Sequence, residues 1–318
     1  MLNVILIGAG NIAGIHAEVY RLMNDINVVA VIDSDERKAE ILAKILHAKW
    51  YKEYDRSYFK EIVIHYVDIC VPTYLHREYI IQMASEHYNI LCEKPLTCNV
   101  KDMELIKAML EEKQILFMVG FCIQFNNAYI ELVKLIKSKM YGKLKYLRMY
   151  RSVIKPDNNW MSKKELSGGI VFDLHIHDVN FILSVLGQPI SINSYGNASH
   201  CITAFNYPKQ IVLAESNWFT YSKESFSAGF TAEFDNATLV YKNDELTLVK
   251  GHNEHTKINL SCETLNKESQ WLQMYYDEIN YFKNCIQINK KPKIADINMS
   301  INTTKAMDYI LKNLCMME

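Results

Sequence analysis

Three of the chain's eleven glycines fall between positions 8 and 14, and what flanks them leaves few folds open. Before them, Val4–Ile7 is short, continuous and β-branched, as a strand buried on both faces would be. After them, Ile12, Ile15, Val19 and Leu22 recur at helical spacing over Asn11–Met23. Gly8-Ala9-Gly10-Asn11-Ile12-Ala13 therefore reads as G-x-G-x-x-G/A between a strand and a helix. The first glycine permits a tight turn and the second lets a diphosphate approach the backbone. Ala13 keeps the helix close to its strand, and the free N–H groups of Asn11 and Ile12 at the helix start face the anion. A second apolar strand, Val28–Ile32, ends in Asp33, 20 residues after Ala13. A carboxylate there can accept hydrogen bonds from both ribose hydroxyls and would repel a 2′-phosphate, so NAD is expected as cofactor and NADP disfavoured.

The pattern repeats through the first third of the chain. Helix is expected over Glu36–Leu46, strand over Val67–Val71, helix from His76 to His87, a short strand at Ile90–Cys92, helix over Asn99–Glu112 and a last strand at Ile115–Gly120. Strands alternating with helices of this length predict an α/β Rossmann domain, a doubly wound parallel sheet over residues 1–122. The remainder, 123–318, predicts an α+β domain with a large, mostly antiparallel sheet. After a helix over Asn127–Lys139, extended stretches alternate in polarity at Lys143–Ser152, Ile190–Ser194, Cys201–Asn206, Ile211–Trp218, Ser225–Phe234 and Ala237–Tyr241. One helix, Ile170–Leu186, interrupts them, and two more, Ser269–Ile288 and Asn298–Met317, close the chain.

Composition excludes several classes. Lys plus Arg (35) balance Asp plus Glu (36), which leaves no footprint for nucleic acid or an anionic membrane. Eight cysteines form no C-x-x-C pair, so free thiols in a reducing, cytoplasmic setting are expected, with neither a disulfide frame nor a metal site. No basic residue precedes Arg21 and no run approaches the ~18 apolar residues of a membrane span, so neither a signal peptide nor a spanning segment is expected.

Two further patterns carry chemistry. Glu93-Lys94-Pro95 follows the strand Ile90–Cys92, where an open parallel sheet binds its ligands, and Pro95 restricts the backbone of Lys94 to extended geometry. A Glu-Lys pair in a loop is otherwise a solvated ion pair. Asp173 and His177, four apart in the expected helix Ile170–Leu186, would share a face, where a carboxylate raises the basicity of an imidazole. His175 cannot share that face; Asp178 would line the site or cap a polar network. A purely structural Asp–His pair has the same pattern.

These motifs, in this order, resemble the glucose-fructose oxidoreductase / inositol dehydrogenase (Gfo/Idh/MocA) family nearly from end to end. Gly8 to His16 is similar to its G-x-G-x-x-G-x-x-H opening, with Ala13 for the third glycine. Cys70-Val71-Pro72-Thr73-Tyr74-Leu75-His76 is similar to its C-T-P-N-x-x-H loop beside the cofactor, Glu93-Lys94-Pro95 to its E-K-P, and Gly168-Gly169 with Asp173 and His177 to its G-G-x(n)-D-x-x-x-H. The resemblance implies a pyridine-nucleotide oxidoreductase acting on a sugar, polyol or related secondary alcohol. Pro72, Thr73, His76, Glu93 and Lys94 would stand by the cofactor. Lys94, Asp173 and His177 would surround the reacting carbon: Lys94 positions the hydroxyl, His177 takes its proton and Asp173 supports His177. Thr73 stands where the family has Asn. Gln124 replaces a frequent Arg, and a planar amide does not bind a carboxylate or phosphate as guanidinium does, which disfavours acidic substrates. Lys155–Trp160 is the expected substrate loop, with Trp160 stacking on a sugar ring or, alternatively, serving as a core or interface residue. The family also implies a homodimer or homotetramer covering the second domain's open sheet face. The alternatives are an NAD-dependent glycosidase that oxidises its sugar transiently and a non-catalytic NAD sensor.

Overall fold

The computed structural model describes residues 1–156, 160–219, 221, 225–251, 254–260 and 270–316. They form two units, one of residues 1–122 with 274–301 and one of residues 123–273 with 302–318. This corrects the expectation that everything after residue 122 belongs to the second domain. Residues 274–301 join the first unit because their apolar side chains, Ile279 and Phe282 among them, are buried there, Phe282 edge-on against Tyr66.

In the first unit the elements are β1 (Leu2–Ile7), α1 (Asn11–Leu22), β2 (Ile26–Ile32), α2 (Glu36–Leu46), β3 (Lys49–Tyr51), β4 (Tyr66–Ile69), α3 (Thr73–Ser85), β5 (Asn89–Glu93), α4 (Val100–Glu112) and β6 (Phe117–Gly120). The strands pair in parallel in the order β3-β2-β1-β4-β5-β6. That is the doubly wound order whose carboxyl-end crevice takes nucleotides. Val4, Ile5, Leu6 and Ile7 are all fully buried, as a central strand covered on both faces requires. The expected strands are present, and β3 is an addition: three residues on the sheet edge, too short for a polarity pattern to reveal.

The second unit begins with α5 (Asn127–Ser138), β7 (Leu144–Ile154), the short α6 (Lys164–Ser167) and α7 (Ile176–Leu186). It continues through β8 (Ser191–Gly196), β9 (His200–Tyr207), β10 (Gln210–Phe219), β11 (Phe226–Phe234), β12 (Thr238–Lys242), β13 (Glu245–Lys250) and β14 (Glu254–Ile258). The chain closes with α8 (Gln270–Gln287), α9 (Ile297–Asn313) and β15 (Cys315–Met316). Nine strands order as β14-β13-β12-β11-β7-β10-β9-β8-β15, antiparallel except for β7 with β10 and β8 with β15. Burial alternates along β9 and β10: Cys201, Thr203 and Phe205 with Val212, Ala214 and Ser216 face the core. The opposite face carries Ile202, Ile211 and a bidentate Arg148–Glu215 pair at 2.7 Å.

The expected single helix Ile170–Leu186 is instead a wide, π-type turn over Val171–His175 leading into α7. A π turn inserts one residue into the helical repeat and shifts the faces that follow it. One stretch, Lys164–Leu186, does reach the length and apolarity of a membrane span, against expectation. However, 72% of its most apolar 18-residue window is buried inside the protein, as in a core helix. Six cysteines (70, 92, 98, 122, 201 and 285) are free thiols, five of them buried.

Candidate active site

The first turn of the first unit is built by sterics. Gly8 has φ +107°, and a Cβ there would stand 2.5 Å from the carbonyl oxygen of Cys70, so only glycine fits. Gly10 caps α1 without a side-chain hydrogen bond, which leaves the first N–H groups of Asn11 and Ile12 for an anion. A Cβ on Gly10 would meet no atom within 4 Å: the loop is glycine-lined beside open space, the cradle a diphosphate needs. Ala13 is fully buried against the sheet. Asp33, just after β2, is tied into this loop. Its Oδ2 accepts from the Ala9 N–H at 2.7 Å and its Oδ1 from the Asp35 N–H at 2.8 Å, which orients the carboxylate while leaving acceptor capacity on both oxygens. Gly8, Gly10, Asn11, Ile12 and Asp33 are thus brought together, and they fit a dinucleotide.

A second group gathers at the carboxyl ends of β4 and β5. Pro72 caps α3 and Thr73 opens it. His76, expected beside the cofactor, is buried between two backbone carbonyls, with Nδ1 2.9 Å from Pro95 O and Nε2 2.8 Å from Val71 O. It ties the Lys94-Pro95 loop to the loop before α3. Burial, against the pull of those carbonyls, holds its pKa below the ordinary histidine range. The Lys94–Pro95 bond is cis. Glu93 is also buried, and its Oε2 accepts from the Lys94 N–H at 3.1 Å.

Behind Glu93 lies a polar cluster that the sequence reading did not anticipate. His16 of α1 is fully buried, with Nδ1 2.8 Å from Asp68 Oδ2 and Nε2 3.3 Å from Glu93 Oε1. Tyr20 donates to the same Asp68 oxygen at 2.6 Å, and Tyr66 donates to Tyr20 at 3.2 Å. Burial opposes charge on His16, but Asp68 overcomes it and the pKa stands well above the ordinary value. His16 is the closing histidine of the glycine motif, which was a usable signal. Glu278 of α8, also in the cluster, gave none.

In the second unit Asp173 lies within the π turn and accepts from the Trp218 indole N–H at 3.3 Å, while His177 sits in the first turn of α7. The even helical face expected for the pair is therefore replaced by a junction between two turn types. His175 is fully buried, with Nδ1 2.9 Å from Ser216 Oγ and Nε2 2.8 Å from Thr203 Oγ1, and burial lowers its pKa to about 3. Asp178 turns out to be a buried partner of Arg151 at 3.0 Å. Gln124 donates to Asn180 Oδ1 at 2.5 Å and Asn180 in turn to Thr303 at 3.0 Å, so the amide that stands where the family often has Arg is held by α7. Trp160 is half-buried in a short 3₁₀ turn, Trp160–Ser162. Of the expected substrate loop, residues 157–159 lie outside the described residues.

Residues 2–121 match the family model described as an oxidoreductase family with an NAD-binding Rossmann fold, and residues 129–240 match the model of the GFO/IDH/MocA C-terminal domain. The chain belongs to the Gfo/Idh/MocA family. Among curated proteins it is 28% identical over 198 residues to a 2,7-anhydro-N-acetylneuraminate hydratase of Mediterraneibacter gnavus, covering 59% of this chain and 52% of that one. It is 26% identical over 191 residues to the myo-inositol 2-dehydrogenase of Thermotoga maritima, covering 59% and 56%. The chain thus spans about half the length of these relatives. Among solved structures, a levoglucosan dehydrogenase in complex with NADH and levoglucosan superposes with a TM-score of 0.86 over 98% of this chain and 96% of that one at 17% identity, a likeness of fold. The first unit is the family's NAD-binding fold. Of its expected cofactor residues, the glycine loop and Asp33 form an open cradle, whereas His76 and Glu93 are engaged by protein groups.

Proposed function

We propose that the protein is an NAD-dependent oxidoreductase acting on a CH–OH group of a sugar or polyol. The observation that carries this reading is the turn just described: open space at Gly10, uncapped N–H groups on α1, and Asp33 held beside them by the Ala9 N–H. Gly8, Gly10, Asn11 and Ile12 would hold the diphosphate, Asp33 the ribose, and Pro72 and Thr73 would border the nicotinamide end. When bound, NAD supplies the hydride acceptor.

The chain's own part is placement and proton transfer. Lys94, with its backbone fixed by the Glu93 carboxylate, would orient the substrate hydroxyl, and His177 would take its proton. Asp173, anchored by the Trp218 indole, would support His177. Gln124 and Trp160 are assigned to substrate binding, and an amide in place of guanidinium favours neutral substrates. NAD is preferred to NADP because of Asp33. The setting is cytoplasmic, consistent with the free buried thiols. We assign the half-exposed sheet face bearing Tyr195 (50% exposed), Ile202 (44%) and Ile211 (62%) to a homodimer or homotetramer.

The second reading is an NAD-dependent glycosidase that oxidises its sugar transiently and returns the hydride; similarity to a hydratase, a reaction with no net redox change, supports it. A panel of inositols, aldoses and sugar acids with NAD separates the two. Net NADH formation is expected, whereas substrate conversion without it favours the second. In the same assay Lys94→Ala and His177→Ala should each lower kcat by about 10²–10⁴-fold, the usual contribution of a general base or acid, while NAD still binds. Asp33→Ala should weaken NAD and relax discrimination against NADP. Unchanged turnover in the first two would remove their roles, and a wild type preferring NADP by tenfold (about 1.4 kcal/mol) would remove that of Asp33.

A further inference from the structure

Glu278 reaches the first unit from α8 and is fully buried, yet neither of its carboxyl oxygens has a hydrogen-bond donor. Glu93 Oε1 and His16 Nε2 are likewise without conventional partners, and the facing atoms of His16, Glu93 and Glu278 all lie within 4.8 Å of one another. A buried carboxylate that nothing satisfies is expensive, and two carboxylates at this separation do not both ionise. We propose that Glu278 is a neutral acid that donates its proton to Glu93 Oε1, and that with His16 it clamps the Glu93 carboxylate whose other oxygen holds the backbone of Lys94. Glu278 is then a positioning residue for Lys94, and this consequence, though not the clamp itself, rests on the function proposed above.

Three independent features agree. His16 is held by Asp68 at 2.8 Å with Nε2 3.3 Å from Glu93 Oε1, so an imidazolium lies at ion-pair distance from the Glu93 carboxylate without closing a hydrogen bond to it. Oε2 of Glu93 is occupied by the Lys94 N–H at 3.1 Å, so any further restraint has to act on Oε1. Space for that oxygen is reserved across the sheet: a Cβ on Gly120 would stand 2.6 Å from Glu93 Oε1 and 3.3 Å from Glu93 Cα, although the Gly120 backbone is one that any residue adopts. The glycine is needed for the carboxylate's room. The titratable groups facing Glu278 are Glu93, His16, Asp68 and Tyr275; burial and then the Glu93 charge push its pKa well above the ordinary value.

The full-length protein and its Glu278→Gln and Glu278→Met variants test this. In the infrared difference spectrum of wild type minus Glu278→Gln at neutral pH, the carbonyl stretch of a protonated carboxyl group is expected. Its absence overturns the proposal, and so does one equivalent of a divalent ion found by elemental analysis, because a cation would then replace the proton. Glu278→Met fills the volume without a donor and should lower kcat by about 10²-fold, the loss a misplacement of about 1 Å brings, with little change in NAD affinity. Glu278→Gln, which still donates an N–H, should recover most of that loss. It should also remove the part of the alkaline fall in kcat that comes from ionising Glu278. Equal turnover in the Gln and Met variants, or pH profiles of wild type and Glu278→Gln that superimpose, overturn the positioning role. Should Glu278→Met fail to fold, Gly120→Ala, which displaces Glu93 directly, is expected to give the same kcat loss, and wild-type turnover in it counts against the clamp. If no alcohol is oxidised at all, the infrared and elemental measurements still decide the clamp, so its failure is told apart from failure of the proposed activity.

Discussion

A carboxyl group sealed from water makes the first unit's stability depend on pH in an unusual direction. Burial and the adjacent Glu93 carboxylate raise the pKa of Glu278 in the folded protein, while the unfolded chain titrates near the ordinary ~4.3. Above about pH 4.3 the folded state therefore binds a proton that the unfolded state has lost, and stability falls as pH rises toward the folded pKa. Glu278→Gln carries no such proton. Its stability relative to wild type should improve as pH rises from about 5 toward the folded pKa, by at most about 1.4 kcal/mol per pH unit, measured by urea unfolding at each pH. A difference that is flat or of opposite sign would mean that Glu278 is ionised in the fold. At this scale the sequence was readable where the chemistry is local. Gly8, Gly10 and Asp33 lie in one turn and its neighbouring strand end, and their spacing carries the message. Glu278 was not readable, because its partners come from α1, β4 and β5 and nothing in the sequence around it points to them.

Among the elements, strands with strong polarity patterns or continuous apolar runs were legible and the rest were not. β13 and β14 are hard to read in the sequence because the alternation of β13 lasts only from Glu245 to Leu248 before Val249 and Lys250 end it, and β14 carries a single apolar residue, Ile258; pairing with β12 and with each other is what defines them. The π turn before α7 went unread because periodicity assumes a regular helix. The same region holds a tie between elements that composition does not reveal: Arg151 of β7 and Asp178 of α7, 5% and 0% exposed, paired at 3.0 Å. Burial raises the Asp178 pKa and Arg151 pulls it back, without cancelling the desolvation cost. Removing one member, as in Arg151→Met, strands a charge and should cost about 3–5 kcal/mol. The combined replacement Arg151→Met with Asp178→Leu should recover most of that, since an apolar pair of similar size avoids the desolvation. Denaturant midpoints of the two single variants and the double variant check this. Additive losses would mean that the pair is not energetically coupled.

For the whole molecule, length and motif order indicated two domains, but a boundary drawn along the chain misses a segment that returns. Residues 274–301 complete the first unit, and the reason is visible in what they bury. Met274, Tyr275, Ile279 and Phe282 are each less than a tenth exposed, and Lys283 pairs with Asp25 at 2.6 Å. Val119 also donates a backbone hydrogen bond to this segment, at Ala295 O, 3.0 Å away. At about 1.5–3 kcal/mol for each buried large apolar side chain, those four alone contribute roughly 6–12 kcal/mol. That is as large as the whole net stability of a typical domain, about 5–15 kcal/mol. A fragment of residues 1–122 should therefore fail to fold cooperatively even though it contains every strand of the parallel sheet and the complete glycine motif. Supplying residues 274–301 by a flexible linker should restore a cooperative urea transition and a near-ultraviolet circular dichroism spectrum. If 1–122 alone melts as sharply as the extended fragment, α8 is an accessory to the nucleotide-binding fold. If it does not, the carboxylate behind Glu93 and the core beneath β4 arrive on the same helix, and folding of the first unit waits for residues 274–301, well over a hundred residues after its last strand.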